Sequence, residues 1–198
     1  MFLSFRKLKL KRLFDCYDAN GNGHLDMNDA VVITNRFSQE FGWDTGSFAD
    51  RSFKGAFFKG WSRMFRQADA NHDYRITWQE FQHYHQEASS DDSHFYRDLK
   101  PFLDDIFPFL DPDGDGLIHK STYLSFYRAM CNSNLGEEEA FESFDLNHDG
   151  AISHLEFYTM FYHFHMSADP DHASKLFFGQ LENTPRKPPD SLLLGTLL

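Results

Sequence analysis

Apolar residues recur at intervals of three and four along most of the chain, and this spacing predicts helices. Short polar stretches rich in Asp, Asn and Gly separate the helical segments. The predicted helices are Phe2–Tyr17, Met27–Glu40, Ser47–Ala68, Thr77–Glu87, Phe95–Leu110, Ser121–Cys131, Gly136–Phe144 and Ser153–Met166. Because Pro108 falls inside the fifth segment, we expect a kink or an early end there. The pattern as a whole predicts an all-α protein.

One polar stretch, DLNHDGAISHLE, carries oxygen-bearing side chains at positions 1, 3, 5, 9 and 12, with a glycine at position 6. Ca²⁺ prefers about six to eight oxygen ligands, and this spacing supplies them in one tight loop, with a backbone carbonyl from position 7. The stretch therefore has the pattern of an EF-hand calcium loop. We predict that it binds Ca²⁺ through Asp145, Asn147, Asp149, Ala151 (carbonyl), Ser153 and Glu156.

The same twelve-residue pattern occurs three more times, so the chain is built from a repeated unit. The predicted ligands of the first loop are Asp18, Asn20, Asn22, His24 (carbonyl), Asp26 and Asp29. Those of the second loop are Asp69, Asn71, Asp73, Arg75 (carbonyl), Thr77 and Glu80. The third loop offers only Asp111, Asp113, Asp115 and the carbonyl of Leu117.

The four loops should differ in affinity. Loop 1 ends in Asp29, which is one methylene shorter than Glu, so we expect weaker Ca²⁺ binding or Mg²⁺ in its place. Loop 2 has Tyr74 where the turn favours glycine, which should lower its affinity. Loop 3 has Thr122 in place of the closing carboxylate, and His119 at position 9 does not replace those oxygens for Ca²⁺. We expect loop 3 to be empty or very weak.

Four loops make two pairs, because a single EF-hand leaves half of its small core uncovered. We place the N-terminal pair in residues 1–90 and the C-terminal pair in residues 95–166, with a boundary at Ala88–His94. The position-8 residues of paired loops should form short antiparallel strands; they are Leu25, Ile76, Ile118 and Ile152. Residues 167–181 should dock as a tail through Leu176, Phe177, Phe178 and Leu181, and residues 182–198 have the composition of a loose extension.

The formal charge of -11 does not call for a basic partner, because twelve of the thirty acidic residues lie in the four loops. Nucleic acid is therefore excluded as an expected partner. The two cysteines, Cys16 and Cys131, match no metal or redox spacing, which favours a reduced, cytoplasmic protein. No run approaches the ~20 apolar residues of a transmembrane helix, and we expect a monomer.

Three features together resemble a known family: the four unequal loops, the segment Phe57–Phe81 (FFKGWSRMFRQADANHDYRITWQEF) and the tail Lys175–Leu181 (KLFFGQL). They are similar to the invertebrate sarcoplasmic calcium-binding proteins, and within that family to the calexcitins. The resemblance implies a compact, two-lobed protein whose C-terminal segment packs between the lobes. It also implies that the first two loops bind Ca²⁺. The chain departs from the family at Thr122, in its complete fourth loop and in the extension after Leu181.

Three functions of different classes remain open, none of them enzymatic. A calcium buffer would change shape little, whereas a signalling sensor would expose an apolar groove to a protein target. A photoprotein or a luciferin (coelenterazine)-binding protein would hold an aromatic ligand in the same fold. The chain has 23 Phe and only 6 Met, which favours a closed, rigid core over an adaptable sensor groove. His163 and His165 are two residues apart on one helix, so they should not face one cavity.

Overall fold

Within residues 4–87, 93 and 95–181, which the computed structural model describes, eight α-helices alternate with four short strands. The helices are α1 (Phe5–Tyr17), α2 (Met27–Glu40), α3 (Phe48–Ala68), α4 (Trp78–Glu87), α5 (Lys100–Leu110), α6 (Lys120–Cys131), α7 (Glu137–Phe144) and α8 (His154–Met166). The strands are β1 (His24–Leu25), β2 (Ile76–Thr77), β3 (Leu117–His119) and β4 (Ala151–Ser153). The all-α prediction is confirmed. No described helix has the length and apolar character needed to cross a bilayer.

Several helices begin one residue later than predicted, because the first predicted residue caps the helix instead of joining it. Ser47 Oγ accepts a hydrogen bond from the backbone N–H of Asp50 at 3.2 Å, at the start of α3. Ser153 Oγ accepts one from Glu156 at 3.2 Å, at the start of α8. Each bond satisfies an N–H group that has no partner within the helix.

The expected early end of the fifth helix is wrong. A π-helical turn at Phe95–Leu99 leads into α5, which continues through Pro108 to Leu110. Pro108 has no N–H to donate to the carbonyl of Asp104, which would be its usual helical partner. Both residues lie on the exposed face of α5. Water can satisfy that carbonyl, so the helix continues despite the missing N–H.

Short antiparallel strands join the loops in two pairs, as predicted. In the first pair Leu25 lies opposite Ile76, and in the second Ile118 lies opposite Ile152. All four side chains are fully buried. Each pairing closes the core beneath two loops and fixes their relative positions.

One hydrophobic cluster contains residues from both loop pairs. Helix α2 packs on α6, where the rings of Phe37 and Phe126 lie 6.1 Å apart. Helix α3 packs on α5 at Gly60, and a Cβ added there would lie 2.1 Å from the ring of Phe102. The predicted boundary at Ala88–His94 lies outside the described residues, apart from Ser93.

The tail docks as predicted, after a short 3₁₀ helix at Ala173–Leu176. Phe177 is only 1% exposed and Phe178 only 2%. Helix α1 contributes to the docking, because Arg12 Nε donates a hydrogen bond to the carbonyl of Phe178 at 2.6 Å. Leu181 is only partly buried, and the extension at 182–198 lies outside the described residues.

Candidate metal-binding loops

Loop 4, Asp145–Glu156, folds its carboxylates inward onto its own backbone. The two oxygens of Asp145 accept hydrogen bonds from the N–H groups of Asp149 and Gly150, at 3.0 and 2.9 Å. Asn147 Oδ1 accepts a second bond from Asp149 N–H at 3.0 Å. These bonds hold the side chains of positions 1 and 3 over the turn, where they face a common centre.

Glu156 closes this loop from the start of α8. Its Oε1 accepts hydrogen bonds from the N–H groups of Leu146 and Asn147, at 3.0 and 3.3 Å. Its Oε2 accepts from the N–H and the hydroxyl of Ser153, at 2.8 and 2.7 Å. The carboxylate is therefore fixed in place with its charge directed at the loop.

Among the residues that the structure describes, no cationic side chain balances the charges of Asp145 and Glu156. Both residues are buried, and within the described ranges no Lys or Arg forms an ion pair with either. Buried charges are costly unless they are paired or coordinate a metal. The donor set of loop 4, with converging oxygens and unbalanced negative charge, fits a hard dication.

Loop 1 closes with a shorter side chain but uses the same contacts. Asp29 is fully buried, and its two oxygens accept from Asn20 N–H at 3.1 Å and from Asp26 N–H at 2.9 Å. These are positions 3 and 9, the positions that Glu156 also contacts in loop 4. Burial raises the pKa of Asp29 above its ordinary value, and the two backbone hydrogen bonds partly offset this rise. The shorter aspartate thus makes contacts at the same two loop positions as the glutamate of loop 4.

Loop 2 contains the backbone strain that its sequence predicted. Tyr74 occupies the turn position with φ +64°, and its ring is 83% exposed, so packing does not compensate for the strain. The ligand side chains are nevertheless in place. Asp69 accepts from Asp73 N–H at 3.2 Å, and Glu80 Oε2 accepts from the N–H and hydroxyl of Thr77, both at 2.8 Å.

Loop 3 has the hydrogen bonds of the position-1 aspartate but lacks the closing carboxylate at position 12. Asp111 accepts from the N–H groups of Asp115 and Gly116, at 3.1 and 3.0 Å, just as Asp145 does in loop 4. Thr122 replaces the closing carboxylate, and Pro112 has no N–H at the position from which Leu146 donates to Glu156. Loop 3 thus lacks the closing acceptor and one of the two backbone donors that meet it in loop 4, and its residues do not fit Ca²⁺.

The predicted carbonyl ligands lie where the loops enter their strands. His24, Leu117 and Ala151 are the first residues of β1, β3 and β4, and Arg75 directly precedes β2. The ladder of each pair therefore fixes the backbone at position 7. The sequence also offers Pro112, an imino acid at position 2, as a cause of an inactive loop 3 beside Thr122.

Comparisons with known proteins agree with this division of the loops. The family model described as EF hand matches residues 10–29, 62–83 and 138–161, which contain loops 1, 2 and 4 but not loop 3. Calerythrin from Saccharopolyspora erythraea is 26% identical over 159 residues, which cover 79% of this chain and 90% of calerythrin.

Two solved structures have a similar fold. The sarcoplasmic calcium-binding protein from amphioxus superposes with a TM-score of 0.69 at 18% identity, covering 91% of this chain and 99% of that one. The coelenterazine-binding protein from Renilla muelleri, in its Ca-loaded apo form, gives a TM-score of 0.71 at 19% identity with the same coverage, 91% and 99%. The motif matches and the loop geometry identify EF-hand motifs within the chain, and these structural similarities show that it has the fold of the sarcoplasmic calcium-binding proteins.

Proposed function

We propose that this protein binds Ca²⁺ through loops 1, 2 and 4 and acts as a closed, buffer-type protein. The inward-facing oxygens of these loops support binding, since they match the ligand positions that Ca²⁺ requires. The amphioxus protein, whose fold is similar to that of this chain, is a sarcoplasmic calcium-binding protein, which supports this proposal. A cytoplasmic location and a monomeric state remain predictions.

The docked tail is the observation that favours a buffer over a sensor. A sensor exposes an apolar groove to its target when Ca²⁺ binds. Here Phe177 packs among helices of the C-terminal pair, with ring centroids 5.1 Å from Phe144, 5.2 Å from Phe157 and 5.3 Å from Phe161. Phe178 lies beside Tyr17 of α1, at 6.5 Å. The tail therefore covers the apolar surface that a target would need.

Loop 1 is the site at which Mg²⁺ should compete best. Mg²⁺ is smaller than Ca²⁺, binds oxygens at shorter distances and demands a tighter shell. The closing residue Asp29 is one methylene shorter than Glu, so bidentate closure of a Ca²⁺ shell is harder and the smaller octahedral ion competes better. Calcium titrations with and without Mg²⁺ should therefore differ in one site of three.

A photoprotein or luciferin carrier is less well supported, although the coelenterazine-binding protein shares the fold. The internal cavity that Tyr17, Trp61, Tyr84 and His165 help to line measures about 30 Å³. Sites for small organic ligands usually measure about 300–1,000 Å³, so this cavity has room for only a few water molecules. His163 packs against His172 of the tail, with ring centroids 4.4 Å apart, whereas the buried His165 contacts other rings, among them that of Phe161 at 4.5 Å.

Calorimetric titration of the wild-type protein and of Glu156→Gln tests the proposal. The substitution removes one negative charge and one ligand oxygen from loop 4. Removing one member of a buried charge pair costs about 2 kcal/mol or more, so we expect the strongest Ca²⁺ event to weaken at least about thirtyfold. Glu139→Gln makes the same change at an exposed site on α7 and should leave the titration unaltered.

Two results would contradict the proposal. If Glu156→Gln retained its highest-affinity event, loop 4 would not be the main site. If Ca²⁺ strongly increased the binding of a hydrophobic dye to the wild-type protein, the groove would open and the protein would act as a sensor.

A further inference from the structure

A ring nitrogen and two carboxylates meet at the edge of loop 3. His119 Nε2 lies 3.2 Å from Asp115 Oδ2 and 3.7 Å from Asp113 Oδ2. One ligand atom from each of the three residues lies within 4.8 Å of the others. His119 stands at position 9, where the other loops carry the oxygen-bearing residues Asp26, Thr77 and Ser153.

Asp113 has left the position that a calcium loop gives its third residue. In loops 1, 2 and 4 the third side chain accepts a hydrogen bond from the N–H of the fifth residue, at 3.0 Å in each case. Among the described contacts of loop 3, Asp115 N–H donates only to Asp111, and Asp113 faces His119 instead. Asp115 keeps the contact of its counterparts, because its Oδ1 accepts from Leu117 N–H at 2.8 Å, and its Oδ2 faces the imidazole. The imidazole therefore lies beside one carboxylate that has turned and one that keeps its usual place.

The absence of the closing carboxylate explains why His119 is free to take this position. In loops 2 and 4 the hydroxyl at position 9 donates to the Glu at position 12, at 2.8 and 2.7 Å. Thr122 offers no such acceptor in loop 3. The position-9 side chain therefore reaches across the loop to the carboxylates at positions 3 and 5.

An imidazole with two carboxylates is a ligand set for a transition metal. Ca²⁺ takes oxygen ligands, whereas Zn²⁺ and its neighbours bind imidazole nitrogen readily. Two ligands held about 2.0–2.1 Å from a tetrahedral zinc ion are roughly 3.3 Å apart, close to the separations of His119 from the carboxylates. We propose that loop 3 is a zinc-type site held by His119, Asp113 and Asp115, which goes beyond the calcium proposal and does not depend on it.

The exposure of the three side chains is compatible with such a site. Their relative exposures are 50% for His119, 60% for Asp113 and 41% for Asp115, so water can reach the ion and complete its shell. The competing explanation is a surface ion pair between a protonated histidine and two carboxylates, which contributes little to stability. An ion pair predicts no response to zinc.

Zinc titration by calorimetry in excess Ca²⁺ separates the two explanations, because the Ca²⁺ keeps loops 1, 2 and 4 occupied. The comparison variant is His119→Ser, which places in loop 3 the residue found at position 9 of loop 4, where Ser153 caps α8. His83→Ala removes another exposed histidine, on α4, and is the matched control. Circular dichroism checks that each variant is folded.

We expect the wild-type protein and His83→Ala to bind one zinc ion with equal affinity. His119→Ser should bind it at least about tenfold more weakly, since a direct ligand is lost. Zinc binding that is unchanged in His119→Ser would place the ion elsewhere and overturn the proposal. The absence of any zinc event in the wild-type protein would show that the three side chains form only an ion pair.

Discussion

The docked tail makes a sharp prediction at Phe177. Replacing this residue by alanine removes a ring that is 1% exposed and that contacts aromatic side chains of α7 and α8. Phe→Ala substitutions in well-packed cores cost about 3–5 kcal/mol. For a chain of this length each kcal/mol corresponds to about 2–4 °C in Tm, so we expect the melting temperature to fall by about 6–20 °C.

The tail differs from an ordinary core element because it can detach. Burial of Leu176, Phe177 and Phe178 contributes about 1.5–3 kcal/mol each, so the loss of one ring removes roughly a third of what holds the tail in place. A cavity would form if the tail stayed docked. If it detached, the apolar surface beneath it, including Phe126, would be exposed to a hydrophobic dye. Dye fluorescence therefore distinguishes these two consequences.

Thermal melting and dye binding of Phe177→Ala should be measured in Ca²⁺ beside two references. Phe48→Ala truncates a ring that is 80% exposed and should change stability by less than about 0.5 kcal/mol. Deletion of residues 168–198 gives the limit of complete tail loss, with a lower Tm and stronger dye binding. A Phe177→Ala protein with the Tm and dye response of the wild type would refute the docking argument, and with it the main support for a closed buffer.

Four further substitutions test the helix packing and the loops. Gly60→Ala should destabilise the protein by about 1–3 kcal/mol because the added Cβ would meet the ring of Phe102. Gly55→Ala lies in the same helix with open space around it and should stabilise the protein by about 0.5–1 kcal/mol. Equal effects of the two substitutions in urea denaturation would contradict the close approach of α3 and α5. Tyr74→Gly should stabilise the chelator-treated protein by about 1 kcal/mol because it relieves the positive φ, and a loss of stability in the same assay would show that the tyrosine ring matters more than its backbone. Thr122→Glu should add one Ca²⁺ to the calorimetric stoichiometry, and an unchanged count would place the defect at the proline of loop 3.

Much of the fold could be predicted because metal chemistry dictates residue spacing. Oxygens at fixed positions in a loop located all four EF-hand units, and the apolar residue at position 8 predicted the strand pairs that the structure contains. The docking of Phe177 and Phe178 followed from a simpler argument, that large apolar side chains do not remain in water. In each case the controlling physics is local to a short stretch of sequence.

The features that were missed depend on contacts between distant elements or on exposure to solvent. Helix α5 continues through Pro108 because the proline lies on the solvent-exposed face of the helix. The presence of a proline in the sequence does not show which face that will be. The approach of α3 to α5 at Gly60 depends on a ring 42 residues away in sequence, Phe102. His119 turns toward Asp113 because position 12 has no carboxylate for the position-9 side chain to contact. A count of the calcium ligands does not predict which residues that side chain contacts instead.

Loop 3 has kept its partnership with loop 4 while losing the calcium ligands. Leu117 pairs with Ser153 and His119 with Ala151, so the strand of loop 3 runs beside two of the residues that serve loop 4. The carbonyl of Gly116 also accepts from His154 N–H at 3.2 Å, at the first residue of α8. A metal ion on His119 would therefore act on the backbone that carries the loop 4 ligands. Coupling between two binding sites is reciprocal. Our two proposals together therefore require that zinc at loop 3 change the calcium affinity of loop 4 by some factor, and that calcium at loop 4 change the zinc affinity of loop 3 by the same factor.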